Sequence, residues 1–516
     1  MSRVKRQDQY LFRMYNLTGG MDQSTNPFLL GDTKFTYLKN VNQDEQGTLS
    51  KDGGYSAYLS DTAHNTDDLV FDYVNWAGTH TPIKVSGGNM YKADIPEDEW
   101  SLISADVSSS GQKVSAANYN NKMFFVDPNT NIQYYDGTSV DNIKAHNGGA
   151  DIRGKYLTTL GDILFLGNMT HTFNANDVVY TNPANSGSER FYNELEEEKD
   201  TYATTSQRFT VRGEITGMRG FQGLLVVFTE ELMWIWNPET LEEPKAIAET
   251  GCVSHDTIRE IDGILYWAGR EGVYAFNGSG MPHLISLPLT NWTVNSIWRL
   301  IDGANWRNLN AGVLDGRYYL WVGDLTAALP GDSAALEDVV IVYDTYRGTW
   351  SFYDNYPARQ WARIINHEGN SRLLIANNAG SQTMMKDYSY THNTAAIESV
   401  IRTKYFDYDS PEMEKVLEDF FVSYRPENQT GKYLQVGLAI NGSNDYVTIL
   451  NNTSSTRLPL SGALSKEFQH ERVSLNGKRG RTISYEFKNA DAGVNVTLLG
   501  YTQAFKYNLT NMNYTN

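Results

Sequence analysis

The sequence predicts an all-β protein, and three observations carry the prediction. Short apolar hairpins recur through the middle of the chain. Many of their strands are apolar at every position. Aromatic residues make up 12% of the 516 residues, with 33 Tyr and 11 Trp. Aromatic and β-branched side chains suit pleated, packed surfaces. The 43 Gly supply the tight turns that many short strands need.

The recurring unit is a short apolar strand, a turn with Gly or Asn, a second strand ending in aromatics, and another turn. Its clearest copies span 121–126 with 132–137, 223–228 with 232–237, and 262–267 with 272–278. Weaker copies lie at 83–85 with 89–91, 161–166 with 178–180, 315–321 with 339–344, and 372–376 with 384–385. A strand is apolar throughout when both of its faces are buried. The central strands of propeller blades meet that condition, because each blade is covered by its neighbours. The markers Met123, Leu164, Leu225, Leu265, Tyr319 and Leu374 recur at steps of roughly 40 to 60 residues. The shorter steps suit a four-stranded blade and the longer ones a blade with an inserted loop. The expected architecture is therefore a six- or seven-bladed β-propeller; a β-sandwich or a set of unrelated hairpins is the alternative. Insertions are expected at 182–200, which opens on the turn-rich Asn182-Pro183-Ala184-Asn185, and at 326–338, with Pro330-Gly331-Asp332.

The ends differ from the middle. Residues 1–60 hold Gly19-Gly20-Met21, Leu38-Lys39-Asn40-Val41 and Gly53-Gly54-Tyr55. Residues 401–516 read as strands again, at 404–408, 420–425, 434–440, 482–487 and 494–504. The expected organisation is an N-terminal arm over 1–60, a propeller over 61–400, and a C-terminal β module over 401–516. Arm and C-terminal module together are expected to form an added β platform.

The net charge is −18 and unevenly placed. Seven basic residues meet six acidic ones in 1–60, and thirteen meet twelve in 401–516, so 61–400 carries −20. An acidic middle argues against a surface that grips nucleic acid, which must neutralise phosphates. The single Cys252 excludes an intrachain disulfide or a cysteine-based zinc site. The first residues lead into no apolar signal region, and no stretch approaches the ~18 apolar residues of a membrane helix.

A resemblance rests on the order of these pieces. Gly19-Gly20-Met21, Asn26-Pro27-Phe28, Leu38-Lys39-Asn40-Val41 and Gly47-Thr48-Leu49-Ser50-Lys51-Asp52-Gly53-Gly54-Tyr55 precede the blades. Gly251-Cys252-Val253-Ser254, Val342-Tyr343-Asp344 and Gly348-Thr349-Trp350 lie within them. Lys404-Tyr405-Phe406-Asp407, Val422-Ser423-Tyr424 and Lys478-Arg479-Gly480-Arg481 close the chain. Together they resemble the tail hub or nozzle proteins (tail tubular proteins of the head-to-tail connector complex) of short-tailed bacteriophages. The resemblance implies a structural virion protein of the phage tail, assembled in the host cytoplasm, and not an enzyme. It implies a homo-oligomer, commonly a hexameric ring, below the portal and the tail adaptor protein. It further implies contacts to tail fibre, spike or needle proteins, and a channel through which genomic DNA passes without sequence-specific binding.

The search for chemistry is otherwise sparse. Asp344 to Trp350 approaches the Asp box of sialidases, but its Asp-to-Gly spacing is four rather than two, so a hairpin turn with a packed Trp is expected. His255-Asp256 is half of an acid–base pair at most, and a strand start is the expected reading. Asp67-Asp68 and Asp151 have no calcium-ligand spacing. No phosphate-binding, metalloprotease or nucleophile-elbow motif occurs. No cofactor and no metal are expected. Glu194, Glu196, Glu197 and Glu198 form the densest acidic run. A solvated loop is its default reading; an acidic lining of the DNA channel, past which phosphates slide, is the functional one. The alternative for the whole chain is a carbohydrate-binding or glycan-cleaving propeller, a receptor-binding protein using aromatics to stack on sugars.

Overall fold

The computed structural model describes residues 9–44, 47–60, 67–142, 152–171, 173–181, 208–290, 296–366, 368–377, 382–425, 432–450, 458–459 and 469–508. Among them, seven four-stranded antiparallel groups follow one another in sequence. Five are separate sheets, spanning 67–104, 115–142, 153–210, 215–248 and 259–284. The sixth, 310–353, runs on into a larger sheet. The seventh consists of Ala358–Ile365, Ser371–Asn377 and Met384–Lys386, completed by Gly54–Ala57 from near the N-terminus. These are blades 1 to 7 of a β-propeller.

The apolar runs are explained by what their two faces meet. Successive side chains of a strand point to opposite faces. In blade 2, Met123 and Phe125 pack with Ile83 and Val85 of blade 1, while Phe124 and Val126 pack with Leu164 and Leu166 of blade 3. In blade 4, Leu225 and Val227 join Phe165 and Val178 of blade 3. Their neighbours Val226 and Phe228 join Leu265 and Trp267 of blade 5. Blade 6 repeats the pattern: Tyr318 and Leu320 meet Tyr266 of blade 5, and Tyr319 and Trp321 meet Trp361 and Leu373 of blade 7. The ring closes where Val70 of blade 1 packs with Ala362, Ile364 and Leu374 of blade 7. Each such side chain is worth ~1.5–3 kcal/mol when taken out of water. Two-residue turns set the hairpins. Asp262-Gly263 and Asp315-Gly316 both hold two positive φ angles, 49° and 75°, and 50° and 69°. That geometry matches the twist of antiparallel strands, and Asp-Gly adopts it readily.

The platform is a pair of sheets. One is ordered Val41–Asn42, Leu49–Lys51, Thr497–Tyr507, Lys415–Arg425 and Gln469–Ser474, with Tyr10–Met14 added on Thr497–Tyr507. The other is ordered Phe35–Lys39, Ser399–Thr403, Ile483–Asn489, Tyr433–Ile440 and Val447–Leu450. Aromatic rings fill the space between them. Phe420 stacks on Tyr485 with centroids 4.4 Å apart, and Tyr501 lies 5.5 Å from Phe487. The second sheet is continuous with blade 6: Phe35–Lys39 runs parallel to Thr349–Tyr353, and Asn40 N–H donates to the Phe352 carbonyl at 2.8 Å. Gly54–Ala57, within the segment expected to be the arm, thus belongs to blade 7. Ser399–Thr403, which straddles the expected limit at residue 400, belongs to the platform.

The turn that carries the chain from platform to blade 7 is built around a buried carboxylate. Asp52 is fully buried and accepts from Lys386 Nζ at 2.7 Å, Asn42 Nδ2 at 3.0 Å, the Gly54 N–H at 3.0 Å and the Tyr356 hydroxyl. The Lys386 ammonium sits 5.0–5.5 Å from the ring centroids of Tyr319, Tyr353 and Tyr356. Burial opposes the Asp52 charge, but Lys386 and the hydrogen-bond donors outweigh it and pull its pKa down to about 2. Gly54 is the next constraint. Its φ is +84°, and a Cβ there would sit 2.1 Å from the Thr391 carbonyl oxygen.

Asp52→Ala would leave the Lys386 ammonium buried without its carboxylate. It is expected to lower the unfolding free energy by about 3–5 kcal/mol, read by urea titration of tryptophan fluorescence. A loss below about 1 kcal/mol, the size of a surface pair, would show that the joint between Gly54–Ala57 and blade 7 does not depend on this pair.

Candidate functional site

The first strands of successive blades lie against one another, with the 3₁₀ turn His255–Thr257 between blades 4 and 5, as innermost strands around a propeller axis do, so residues at their starts gather at one mouth of that axis. A cavity of about 670 Å³ lies there, lined from or just ahead of blades 2 to 7, with Asn305, Arg307 and Asn308 from the segment preceding blade 6. Lys113 precedes Ser115–Tyr119, Lys155 and Tyr156 lie early in Arg153–Leu160, Glu214 precedes Ile215–Phe221, and Arg359 is the second residue of Ala358–Ile365. Asp256 and His255 sit in the 3₁₀ turn His255–Thr257 ahead of Arg259–Ile261. Arg307 belongs to the 3₁₀ segment Gly303–Asn308.

The charges pair across blades. Lys113 Nζ is 2.8 Å from Asp256 Oδ2, and Arg359 Nη2 is 3.2 Å from the buried Asp68. Lys155 is 3.4 Å from Glu214, and Arg307 Nη2 is 2.9 Å from Glu230. Glu230 also takes a hydrogen bond from Arg270. Burial works against the Asp256 charge, yet the Lys113 ammonium outweighs it and holds its pKa below the usual carboxylate range. These pairs tie blades 2 to 5, blade 7 to blade 1, and blade 3 to the start of blade 4. Glu214 and Arg307 are shared with a second cavity of about 790 Å³ edged by blades 4 and 5, which Arg270 also lines. That cavity adds Glu231, Glu249 and Glu271, so its wall is more acidic than the axial one.

His255 lies deep in the mouth. Its ring stacks on Tyr156 with centroids 4.8 Å apart. Its Nδ1 faces the Met218 N–H at 3.4 Å, which suits a neutral ring protonated on Nε2. Burial pushes its pKa down to about 4; Asp256 opposes this, and Arg259, Arg219 and Lys113 add to it. His255 and Asp256 therefore turn to different partners, Met218 and Lys113. The strand expected to start here begins instead at Arg259, after the 3₁₀ turn.

The other sequence candidates are structural in their surroundings. Asp67 accepts from the Thr383 hydroxyl at 2.7 Å and lies 3.7 Å from the buried Lys84, between blades 1 and 7. Burial pushes its carboxyl up to about 6 against the pull of Lys84. Asp68 takes the Gly111 N–H at 3.2 Å in addition to Arg359. Asp344 closes the hairpin before Thr349–Tyr353 by accepting from the Arg347 N–H at 3.0 Å, and Trp350 packs on Tyr343 at 4.5 Å. Asp151 and the run Glu194, Glu196, Glu197 and Glu198 lie outside the described residues. The cations of the mouth were missed in the sequence, because each is a lone Lys or Arg in a different repeat. The available signal was their shared position, at or near the first strand of each unit. Among the described residues, no cluster of three or more His, Cys, Asp or Glu could hold a metal ion. No helix among them is long and apolar enough to cross a membrane.

No family model matches the chain, and no curated protein matches it. Solved structures to which it is similar include the computationally designed Ika8 protein, at 10% identity and a TM-score of 0.38 over 65% of this chain and 100% of that one. A chain of a mitotic checkpoint complex is similar at 10% identity and 0.39, over 64% of this chain and 92% of that one. YCF48 bound to a D1 peptide is similar at 12% identity and 0.38, over 64% and 94%.

The His255 pKa has a consequence for acid stability. It is about 4 in the folded chain against an ordinary 6.5. The stability it contributes is present above pH 6.5 and is lost as pH falls toward 4. His255→Asn is expected to flatten the fall of the thermal unfolding midpoint across that window. An unchanged slope would show that the ring is not held neutral. His392, also pushed down to about 4 by burial, keeps part of the slope in the variant.

Proposed function

We propose that the protein is a structural subunit of a bacteriophage tail, a hub or nozzle that assembles into a ring, commonly of six copies. The ring would continue the DNA channel below the portal and the tail adaptor protein, and would anchor fibre, spike or needle proteins. DNA would pass it without sequence-specific contacts, and the protein would act without catalysis. On this reading it is made in the host cytoplasm and resides in the virion.

The observation that supports this most is the continuity of the platform with the propeller. One hydrogen-bonded sheet runs from blade 6 through Phe35–Lys39 into Ser399–Thr403 and Ile483–Asn489. The N-terminal segment then returns to complete blade 7. A propeller joined to a platform by backbone hydrogen bonds moves as one body, as a load-bearing part of a tail must. Charge agrees: 61–400 carries −20, while 1–60 and 401–516 are each near neutral. Copies of such a subunit repel through their propellers and associate most readily through their platforms. The order of sequence pieces shared with hub and nozzle proteins supplies the tail context.

Three aromatics favour the second reading, a glycan-binding propeller. Trp76, Tyr346 and Tyr388 are 78%, 71% and 73% exposed, and exposed rings can stack on sugars. They lie on three separate loops, in blade 1, blade 6 and after blade 7, rather than in one cleft.

The purified full chain is expected to form closed rings in electron micrographs, with a mass in solution of several subunits. A protein that stays monomeric at micromolar concentration and binds a polysaccharide on a glycan array would overturn the assembly reading in favour of the second.

A further inference from the structure

Lysines are rarely fully buried, and a buried one is normally matched to a carboxylate. Lys386 follows that rule with Asp52. Lys51, at the end of Leu49–Lys51 in the first platform sheet, is matched differently. It is 2% exposed. Its Nζ donates to the side-chain amide oxygen of Asn489 at 2.8 Å and to the Asp491 main-chain carbonyl at 2.7 Å. Asn489 ends Ile483–Asn489 in the second platform sheet and is 1% exposed. The amide is held from its other side as well. Its Nδ2 donates to the Tyr433 carbonyl at 2.9 Å and to Asp491 Oδ2 at 3.2 Å. Asp491 itself is partly exposed and fixed by the Tyr433 N–H at 2.9 Å.

An amine and a carboxamide are thus locked together in the interior, with a partly exposed carboxylate on the nitrogen that would have to leave. We propose that Lys51 and Asn489 are a modification site: their side chains condense into an intramolecular amide bond, with Asp491 as the proton carrier.

The step balances without any outside reagent. The Lys51 ammonium, whose Nζ touches the Asp491 main-chain carbonyl rather than its carboxylate, loses a proton to water, and the partly exposed Asp491 carboxylate takes one up from water. The freed Nζ lone pair attacks Asn489 Cγ, and the carbonyl becomes a tetrahedral centre. Asp491 passes its proton to Nδ2, the Cγ–Nδ2 bond breaks, and the carbonyl re-forms. The proton left on Nζ leaves with the departing nitrogen. The departing ammonia carries that proton off as ammonium, and one Nζ–Cγ amide is made; nothing is oxidised or reduced. Burial assists in two ways. It disfavours the ammonium, pushing the Lys51 pKa down to about 8, with Lys432 adding to this and Asp491 and Asp52 opposing it. It also fixes both partners in contact, the condition under which intramolecular reactions gain most.

The bond would staple the two platform sheets across 438 residues of chain. A cross-link that closes so long a loop removes much of the unfolded chain's freedom. With one cysteine in 516 residues, the chain has no intrachain disulfide to do this. The inference stands apart from the tail reading, because it depends only on the platform interior.

Mass spectrometry of the purified full chain tests it. The intact mass is expected to fall short of the sequence mass by one ammonia, and a digest is expected to yield a branched peptide joining the segments that hold Lys51 and Asn489. The branched peptide distinguishes the bond from a local Asn cyclisation, which also loses ammonia. Lys51→Arg, which keeps the charge but cannot condense, is expected to restore the full mass. In Asp491→Ala the branched peptide is expected to be scarce in freshly made protein. Wild-type chain at full sequence mass, with Lys51 and Asn489 recovered only in linear peptides, would overturn the bond. An Asp491→Ala chain that cross-links as completely as wild type would overturn the carboxylate's part in it.

Discussion

The N-terminal segment has to be joined to the last blade, and that joint is built around one buried ion pair. Asp52 meets Lys386 inside a cage of Tyr319, Tyr353 and Tyr356. The carboxylate also caps the Gly54 N–H as the N-terminal strand turns into blade 7. Neither charge reaches water, so each requires the other. The geometry sets the register of Gly54–Ala57 against Met384–Lys386, and with it the junction of the first described segments to the last blade. Asn42, which donates to Asp52, also takes the Tyr353 hydroxyl from blade 6. Platform, blade 6 and blade 7 therefore meet at a single polar knot within an apolar surround.

The remaining interfaces use the opposite chemistry. From blade 1 round to blade 7 the contacts are alternating apolar side chains, and their strength is area rather than direction. Buried hydrogen bonds such as Leu157 N–H to Ser115 Oγ and the Tyr318 hydroxyl to the Thr257 carbonyl supplement them, and beyond the Asp52 knot charged groups meet between blades at two further places. One is the seam between blades 7 and 1, where Asp67, Lys84 and Thr383 lie buried together. The other is the axial mouth, where Lys113 meets Asp256 between blades 2 and 5 and Arg359 meets Asp68 between blades 7 and 1. Apolar contacts tolerate small slips, while ion pairs with hydrogen bonds do not. The polar contacts thus fix how the blades are seated against and across from one another.

Much of the propeller was legible locally. Runs such as 123–126 and 225–228 are apolar on both faces because two blades cover them, and Asp262-Gly263 and Asp315-Gly316 announce their turns. Gly54-Tyr55-Ser56-Ala57 was not legible as a blade strand. It has no apolar run, and its partner at Met384–Lys386 is some 330 residues away. The site was less legible still. Lys113, Lys155, Arg307 and Arg359 are ordinary single cations in the sequence, and no spacing links them. The Lys51, Asn489 and Asp491 contact joins opposite ends of the chain, beyond the reach of any local pattern.

The sequence by itself determined what each segment prefers: strand or turn, one buried face or two, and how charge is shared between ends and middle. Those preferences follow from side-chain size, polarity and turn chemistry over a few residues. The tertiary structure alone decided which strands pair across hundreds of residues, where the ring closes, and which polar groups meet inside. Those outcomes depend on burial, and burial is a property of the assembled fold. A lysine beside an amide or a carboxylate costs little in water, and becomes chemistry or a structural lock only once solvent is gone.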